Sequence, residues 1–234
     1  MNIKDSKILL TGGSSGIGKA TAKLLIENGA IVVITGRDQD KLEAVAKEIG
    51  ALPLHFDISD LNSIKANAEK ALQLLGGKID VLINNAGIGV FPKLGEISLE
   101  DLQRVYTTNV FGLTLLTQEL LPQFKAQNRG TILNIGSTAS LKGFAAGSVY
   151  AASKFAVRGL TQSWQAELRP HNIRVTLINP SEVASAFAAE NREERQEKDN
   201  KLGGEDIAHT ILSVLQLRDK GFIPEVAVWA TNPF

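Results

Sequence analysis

The sequence feature that most constrains the fold is a glycine-rich stretch near the start of the chain, Thr11-Gly12-Gly13-Ser14-Ser15-Gly16-Ile17-Gly18. An apolar, strand-like run precedes this stretch, and a segment with helical periodicity follows it. Glycines let the backbone turn sharply and approach a ligand, and a helix N-terminus offers unpaired N–H groups and a partial positive charge. The order of strand, glycine turn and helix therefore predicts a pyrophosphate cradle; a simple tight turn is the alternative.

The rest of the chain alternates short apolar segments with amphipathic ones. This alternation is typical of a parallel sheet covered by helices on both faces and wound by right-handed crossovers. We therefore expect an α/β protein with a Rossmann-type, doubly wound parallel sheet of about seven strands, in a single domain over residues 1–234. The predicted strands lie at 8–11, 31–35, 52–56, 81–83, 131–135, 173–178 and 225–229. The predicted helices lie at 19–28, 39–49, 61–75, 99–126 with a break near 106–109, within 144–168, and at 205–217.

The composition excludes several classes of function. Lysine plus arginine and aspartate plus glutamate number 25 each, so the formal net charge is zero, and we expect neither nucleic acid nor a membrane as a main partner. The chain has no cysteine, which excludes disulfides and thiolate chemistry, and its three histidines lack metal-ligand spacing, so we expect no metal site. We find neither the apolar region of a signal peptide nor a run long enough to span a bilayer, and we therefore expect a cytoplasmic protein.

The end of the second predicted strand indicates which dinucleotide the cradle would hold. In such folds a carboxylate at this position hydrogen-bonds the adenosine ribose, whereas an arginine accommodates a 2′-phosphate. Here the strand ends in Gly36-Arg37, and the first carboxylate, Asp38, comes only after the arginine. The sequence therefore favours NADP(H) over NAD(H), unless Arg37 is a solvated surface residue.

Two further polar groups follow predicted strands, at the edge of the sheet where ligands of such folds bind. Asp57 follows the third strand, where it would either contact the adenine or cap the next helix through the Ser59-Asp60 turn. The sequence Asn84-Asn85-Ala86-Gly87 follows the fourth strand and is either a loop against the cofactor or a plain turn.

Tyr150 and Lys154 stand four residues apart in a predicted helix and therefore share a face. An ammonium about 4 Å from a phenolate stabilises it by roughly 4 kcal/mol at an effective dielectric near 20, or about 3 pKa units. Burial opposes this effect, so the lysine must outweigh burial if the phenol is to exchange protons near neutral pH. Ser137 could then donate a hydrogen bond to a carbonyl oxygen that receives a proton from Tyr150.

The order of these features along the chain resembles the short-chain dehydrogenase/reductase family, from Lys7 to Pro233. The resemblance rests on the glycine turn, the Asn-Asn-Ala-Gly sequence, Asn109, Ser137 and the Tyr150-x-x-x-Lys154 pair. It implies an NADP(H)-dependent carbonyl reductase or alcohol dehydrogenase acting on a small molecule, with 3-oxoacyl-carrier-protein reduction as one candidate activity. It also implies a homodimer or homotetramer. A catalytically silent, NADP-binding redox sensor is the alternative function.

The resemblance also implies roles for individual residues. Tyr150 would be the general acid, Lys154 would lower the pKa of Tyr150 and hold the ribose hydroxyls, and Ser137 would orient the carbonyl. Asn109 would hold a water in the proton relay to Lys154. The implied catalytic residues are Asn109, Ser137, Tyr150 and Lys154. The implied cofactor-binding residues are Gly12, Ser14, Ser15, Gly16, Ile17, Gly18, Arg37, Asp57, Ile58, Asn85, Ala86, Gly87, Tyr150, Lys154, Pro180, Val183 and Ser185.

The chain departs from the family pattern in two places. NADP-preferring members often have a basic residue where this chain has Ser15, so Arg37 alone carries the NADP prediction. After the sixth strand, Ser181 and Glu182 follow Pro180 where the family usually has a glycine and one further residue. We expect the substrate loops near 88–97 and 185–202, where Ile88, Val90, Phe91, Leu94 and Phe187 indicate an apolar pocket or ordinary packing. The polar segment 190–201 is either a solvated segment or a flap over the site.

Overall fold

The structure, a computed structural model, describes residues 1–183, 187 and 200–232. Within these residues the strands are β1 (Lys7–Leu10), β2 (Ile31–Gly36), β3 (Leu52–His55), β4 (Val81–Asn84), β5 (Gly130–Ile135), β6 (Ile173–Pro180) and β7 (Glu225–Val228). The α-helices are α1 (Gly16–Glu27), α2 (Gln39–Ile49), α3 (Ile64–Leu74), α4 (Leu99–Tyr106), α5 (Leu113–Gln127), α6 (Ser148–Leu168) and α7 (Gly204–Gln216). The predicted elements are thus confirmed, and α1 begins three residues before the predicted start because Gly16 already belongs to it.

All neighbouring strands pair in parallel, in the order β3-β2-β1-β4-β5-β6-β7. The chain adds strands outwards from β1 to β3 and then returns to the other side of β1 to add β4. This reversal of direction opens a crevice at the carboxyl ends of β1 and β4, which is where open α/β sheets bind their ligands. The predicted doubly wound α/β fold in one domain is therefore confirmed, and its topology already points to one edge of the sheet.

Both faces of the sheet are buried by helices. Side chains alternate along β1, so that Ile8 and Leu10 face a cluster built with α1, α2 and α7, whereas Leu9 faces a cluster built with α3, α5 and α6. Because both faces are covered, every residue of β4 is buried. The carboxyl edge of the sheet is therefore held by two packed layers. No helix in the described part of the chain combines the length and apolar character needed to cross a membrane.

The break predicted in the long helix is a π-helical segment, Thr107–Gly112, between α4 and α5. The segment passes so close to the chain after β3 that a Cβ atom on Gly112 would lie 2.3 Å from the Ile58 carbonyl oxygen. Only glycine fits there. Such π turns insert an extra residue into a helix and often occur at functional sites. Here the turn carries Asn109 towards the carboxyl edge of the sheet.

Candidate functional site

The glycine turn after β1 packs tightly against the first turn of α1. Gly12 has a φ of +69°, and a Cβ atom on Gly18 would lie 2.1 Å from the Gly12 carbonyl oxygen. Ser15 is the N-cap of α1, but its side chain makes no capping hydrogen bond. The Ser15 side chain therefore does not cap the first turn of α1, and a helix N-terminus behind a glycine turn is the arrangement that binds phosphate. Ile17 packs partly buried against the core beneath the turn.

A side-chain clasp joins this turn to the loop that follows β4. The Thr11 hydroxyl accepts hydrogen bonds from the backbone N–H groups of Asn85 and Ala86, both at 3.1 Å. In return, the Asn85 amide donates to the carbonyl oxygens of Thr11 and Gly12 at 3.0 and 2.9 Å. The Asn85 side chain thus stabilises the cradle, and the loop is more than a plain turn. Thr11 is not among the predicted site residues, although a hydroxyl at the end of a buried strand is a sequence signal that could have identified it.

The corner at the end of β2 carries the arginine on which the NADP prediction depends. Arg37 is exposed there, and the Asp38 carboxylate accepts a hydrogen bond from the Lys41 N–H at 3.0 Å, which caps α2. A Cβ atom on Gly36 would lie 3.2 Å from the Ser14 hydroxyl, so Ser14 lies beside the same corner. An anion at this corner would meet a guanidinium and a hydroxyl, while the nearest carboxylate in sequence is engaged as a helix cap.

Asp57 makes the local turn that the sequence analysis offered as one alternative. Its Oδ1 atom accepts hydrogen bonds from the Ser59 N–H at 2.9 Å and from the Ser59 hydroxyl at 2.7 Å. Ile58 is buried beside it, against the π-helical segment. The turn therefore uses Oδ1, and an adenine contact by Asp57 stays a prediction for the other oxygen.

Tyr150, Lys154 and Ser137 come together at the carboxyl edge of β5. Tyr150 and Lys154 lie one turn apart on α6, and the Lys154 Nζ is 5.8 Å from the centroid of the Tyr150 ring. The Ser137 side chain lies close enough to the Tyr150 hydroxyl to lower the pKa of the phenol. Lys154 is almost fully buried and donates a hydrogen bond to the Ile135 carbonyl oxygen at 2.8 Å. Ser137 follows Ile135 by two residues, so the carboxyl end of β5 positions both Lys154 and Ser137.

Burial controls the titration of this pair. It raises the pKa of Tyr150 to about 12, and the Ser137 side chain offsets only part of this increase. Burial also lowers the pKa of Lys154 to about 8. The sequence analysis expected Lys154 to outweigh burial and lower the pKa of the phenol. The structure corrects this expectation, because the ammonium pays its own desolvation cost and its hydrogen bond goes to a backbone carbonyl.

Asn109 is buried and its amide is fully engaged. The Oδ1 atom accepts a hydrogen bond from the Ile88 N–H at 2.8 Å, and Nδ2 donates to the Ile88 carbonyl oxygen at 2.9 Å and to the Ser153 hydroxyl at 3.0 Å. A Cβ atom on Gly87 would lie 3.3 Å from Oδ1 and 3.6 Å from the Lys154 Nζ. The Asn109 side chain therefore fastens the 88–97 loop to α6 beside Lys154. Its predicted role in holding a water stays a prediction.

Ser137 is itself held in place by a second asparagine, Asn179, which the sequence analysis did not identify. The Ser137 N–H donates to Asn179 Oδ1 and to the Ser140 hydroxyl, both at 3.2 Å. Asn179 is fully buried, and its Nδ2 donates to Glu225 Oε1 at 2.9 Å. The sequence signal that could have identified Asn179 is an asparagine at the end of a predicted buried strand. Asn179, on β6, thus links Ser137 after β5 to Glu225 on β7.

The segment after β6 is only partly described. Pro180 is buried at the end of β6, Val183 forms an isolated parallel bridge with Leu202, and Glu182 pairs with Lys201 at 3.0 Å. The predicted cofactor residue Ser185 and most of the polar segment 190–201 lie outside the described residues.

Two of the residues predicted to form an apolar pocket lie against Tyr150. The ring centroids of Phe91 and Phe187 are 5.6 and 5.4 Å from that of Tyr150. Phe144, to which the sequence analysis gave no role, lies 6.0 Å from Phe91. Leu94, in contrast, is 89% exposed and does not join them.

Comparisons with known proteins agree with this geometry. A sequence model of the family described as short chain dehydrogenase matches residues 6–196. The NADP-dependent 3-hydroxy acid dehydrogenase of Schizosaccharomyces pombe is 35% identical over 240 residues, which span 96% of this chain and 92% of that protein.

Solved structures match over almost the full length. A metagenomic short-chain oxidoreductase in complex with NADP is 34% identical with a TM-score of 0.82, and covers 97% of this chain and 98% of its own. The 3-ketoacyl-(acyl-carrier-protein) reductase of Brucella melitensis, in complex with NADH, is 29% identical with a TM-score of 0.86, and covers 99% of this chain and 100% of its own. With the parallel sheet, the glycine cradle and the Ser137–Tyr150–Lys154 arrangement, these matches establish that the chain belongs to the short-chain dehydrogenase/reductase family of oxidoreductases.

Proposed function

We propose that this protein is an NADP(H)-dependent oxidoreductase that interconverts a carbonyl compound and an alcohol, with Tyr150 as the general acid and base. The observation that carries the proposal is the position of Ser137 beside the Tyr150 hydroxyl, next to the buried Lys154 and at the same sheet edge as the glycine cradle. A redox sensor that performs no turnover has no use for this arrangement. When bound, the cofactor supplies a hydride to the carbonyl carbon or accepts one from the alcohol.

The cofactor fits the residues of this edge. The cradle that Gly12 and Gly18 form has no room for a side chain, and it would bind the pyrophosphate with the first-turn N–H groups of α1. Arg37 and Ser14 would bind the 2′-phosphate, because a guanidinium pairs with phosphate and the Ser14 hydroxyl lies at the same corner. The NADP named in one relative and in one solved neighbour supports this choice, although another neighbour is in complex with NADH.

The side chains would act on the carbonyl oxygen as follows. Ser137 donates a hydrogen bond to this oxygen and fixes its position, since Asn179 holds the serine backbone. Tyr150 would give this oxygen its phenolic proton, which completes the hydroxyl group of the neutral alcohol. Below pH 8 Lys154 carries a positive charge that stabilises the phenolate left behind. In the oxidation direction the phenolate takes up the alcohol proton.

The proposal is tested with a panel of ketones, aldehydes and 3-oxoacyl thioesters, in which oxidation of NADPH and of NADH is followed by absorbance. We expect turnover with NADPH and a lower kcat/KM with NADH. No turnover of any carbonyl compound, with NADPH bound, would contradict the enzyme proposal.

The cofactor choice is tested separately with Arg37→Ala. We expect NADPH to bind about 10- to 100-fold more weakly, because a charge-assisted hydrogen bond contributes roughly 1.5 to 3 kcal/mol, while NADH binding stays the same. Fluorescence titration of the bound nicotinamide measures both affinities. Arg218→Ala removes another exposed arginine, which follows α7, and serves as the matched control. An equal loss for both cofactors would contradict the assignment of Arg37.

A further inference from the structure

An aromatic cluster surrounds the ring of Tyr150, formed by Phe91, Phe144 and Phe187. Phe91 and Phe187 approach the tyrosine ring edge-on, at interplanar angles of 64° and 60°, and Phe144 is tilted by 41° against Phe91. These side chains come from three separate parts of the chain: the 88–97 loop, the segment before α6 and the segment after β6. Edge-to-face contacts at 5 to 6 Å are the geometry that aromatic rings prefer, at about 4.5 to 7 Å between centroids.

The backbone at Gly89 leaves room for two of these rings. A Cβ atom on Gly89 would lie 2.9 Å from ring carbons of both Phe91 and Phe187. Any larger residue at position 89 would separate the two rings that lie against Tyr150. The packing of Phe91 and Phe187 against Tyr150 therefore requires a glycine at position 89.

The cluster leaves much of its aromatic surface accessible. Phe91, Phe144 and Phe187 are 41%, 51% and 41% exposed, whereas Tyr150 is 9% exposed. Three half-exposed phenyl rings beside one buried phenol form an apolar rim next to the ring that carries the phenolic hydroxyl. Contiguous exposed apolar surface is typical of ligand-binding grooves and interaction sites.

Two charged side chains that lie close to Phe187 and Tyr150 along the chain already have polar partners. Glu182, which follows β6, forms a salt bridge with Lys201 at 3.0 Å, and Lys154 donates to the Ile135 carbonyl oxygen. Phe91 and Phe187 contact the Tyr150 ring, Ala139 and Ala151 pack with it in one buried cluster, and the Lys154 Nζ lies 5.8 Å from the ring centroid. This environment suits a flat, uncharged group better than a carboxylate or a phosphate.

We infer that the substrate of this site is an aryl carbonyl compound, with an aromatic ring next to the carbonyl group that contacts Phe91 and Phe187. The inference rests on the proposed function and specifies its substrate class. A substrate ring placed against the exposed faces or edges of these phenyl rings gains edge-to-face or offset contacts that a saturated ring of similar size does not make. Each such pair favours the aryl compound by about 2- to 12-fold.

The test compares phenyl methyl ketone with cyclohexyl methyl ketone, which have a similar size but differ in aromaticity. The quantity measured is the ratio of their kcat/KM values with NADPH in the wild type and in Phe91→Leu and Phe187→Leu. Because the intrinsic reactivity of the two ketones is constant, the change in this ratio reports the protein contacts alone. We expect each leucine variant to lower the aryl preference by about 2- to 12-fold.

Two further variants serve as controls. Phe187→Tyr keeps the ring, and we expect it to keep the ratio of the wild type. Phe222→Leu makes the same exchange on a phenylalanine that lies before β7, beside Arg169, at the opposite edge of the sheet. We expect no change in its ratio. Equal ratios in the wild type and both leucine variants would overturn the inference and leave the proposed function intact.

Binding without turnover separates the two proposals. Saturation-transfer NMR with the Tyr150→Phe variant and NADP⁺ measures whether the phenyl ketone binds in preference to the cyclohexyl ketone. Preferential binding, together with no turnover of any carbonyl compound by the wild type, would support the aryl site and overturn the proposed function. Absence of a preference in this assay would overturn the inference.

Discussion

Replacing Lys154 with methionine should leave the pKa of Tyr150 unchanged in the protein without cofactor. The reason is the order in which the two groups titrate. Burial lowers the pKa of Lys154 to about 8 and raises that of Tyr150 to about 12. As the pH rises, the lysine loses its charge before the phenol ionises. A neutral amine then lies beside the phenol and does not stabilise the phenolate.

The distance between the two side chains gives the size of the effect that a charged Lys154 would have on the pKa of Tyr150. The Lys154 Nζ lies 5.8 Å from the centroid of the Tyr150 ring. At an effective dielectric near 20, a full charge at this distance would stabilise the phenolate by roughly 3 kcal/mol, which corresponds to about 2 pKa units. If the lysine stayed charged, Tyr150 would therefore titrate near 10 and Lys154→Met would raise its pKa by about 2 units.

The assay is a tyrosinate absorbance titration of the protein without cofactor. The chain contains two tyrosines, so subtracting the titration of Tyr150→Phe removes the contribution of Tyr106. We expect no ionisation of Tyr150 below about pH 10.5 in either the wild type or Lys154→Met, with folding followed by circular dichroism. A Tyr150 transition near pH 10 in the wild type that moves upwards by about 2 units in Lys154→Met would refute the argument.

Three further predictions test other parts of the account. Gly18→Ala should lower stability by about 1 to 3 kcal/mol in denaturant unfolding and weaken NADPH binding, because its methyl group would lie 2.1 Å from the Gly12 carbonyl oxygen; unchanged binding would contradict the cradle. The free energy of unfolding should rise by up to about 3 kcal/mol between pH 8 and 10.5, because the unfolded chain binds the Lys154 proton in this range and the folded protein has released it. Urea unfolding of Lys154→Met should lack that rise. Asn179→Leu should lower kcat about tenfold without changing NADPH affinity, because the Ser137 N–H loses an acceptor; an unchanged kcat would contradict the positioning role.

The fold could be predicted because its signals are local. Strands buried on both faces read as continuous apolar runs, as in β4, and helices end at glycines that adopt positive φ, as α2 does at Gly50. The break in the long helix was visible as polar residues around Asn109. Its nature was not, because a π turn depends on the close approach of Gly112 to the chain after β3.

The residues of the candidate site could be predicted from the sequence, but their pKa values could not. Tyr150 and Lys154 share a helical face in any α-helix, so their proximity follows from spacing alone. Their pKa values follow from the depth of burial, which the spacing does not contain. The sequence-based prediction therefore took the charge of Lys154 as the dominant effect on the pKa of Tyr150, whereas burial is the larger effect.

Long-range contacts account for the remaining differences. Asn179 meets Ser137 because β5 and β6 are neighbours, and Thr11 meets Asn85 because β1 and β4 are neighbours. Both contacts require the strand order, which the alternation of elements along the chain does not specify. The same holds for the aromatic cluster, whose members are separated by more than forty residues each.

The most direct test of the central claim is a single-turnover measurement of NADPH oxidation, with an accepted carbonyl substrate, by the wild type and by Tyr150→Phe. The account predicts that the variant binds NADPH as tightly as the wild type and oxidises it about 10² to 10⁴ times more slowly, because the carbonyl oxygen no longer receives a proton from the phenol. A variant rate within tenfold of the wild type would contradict the claim that Tyr150 supplies this proton.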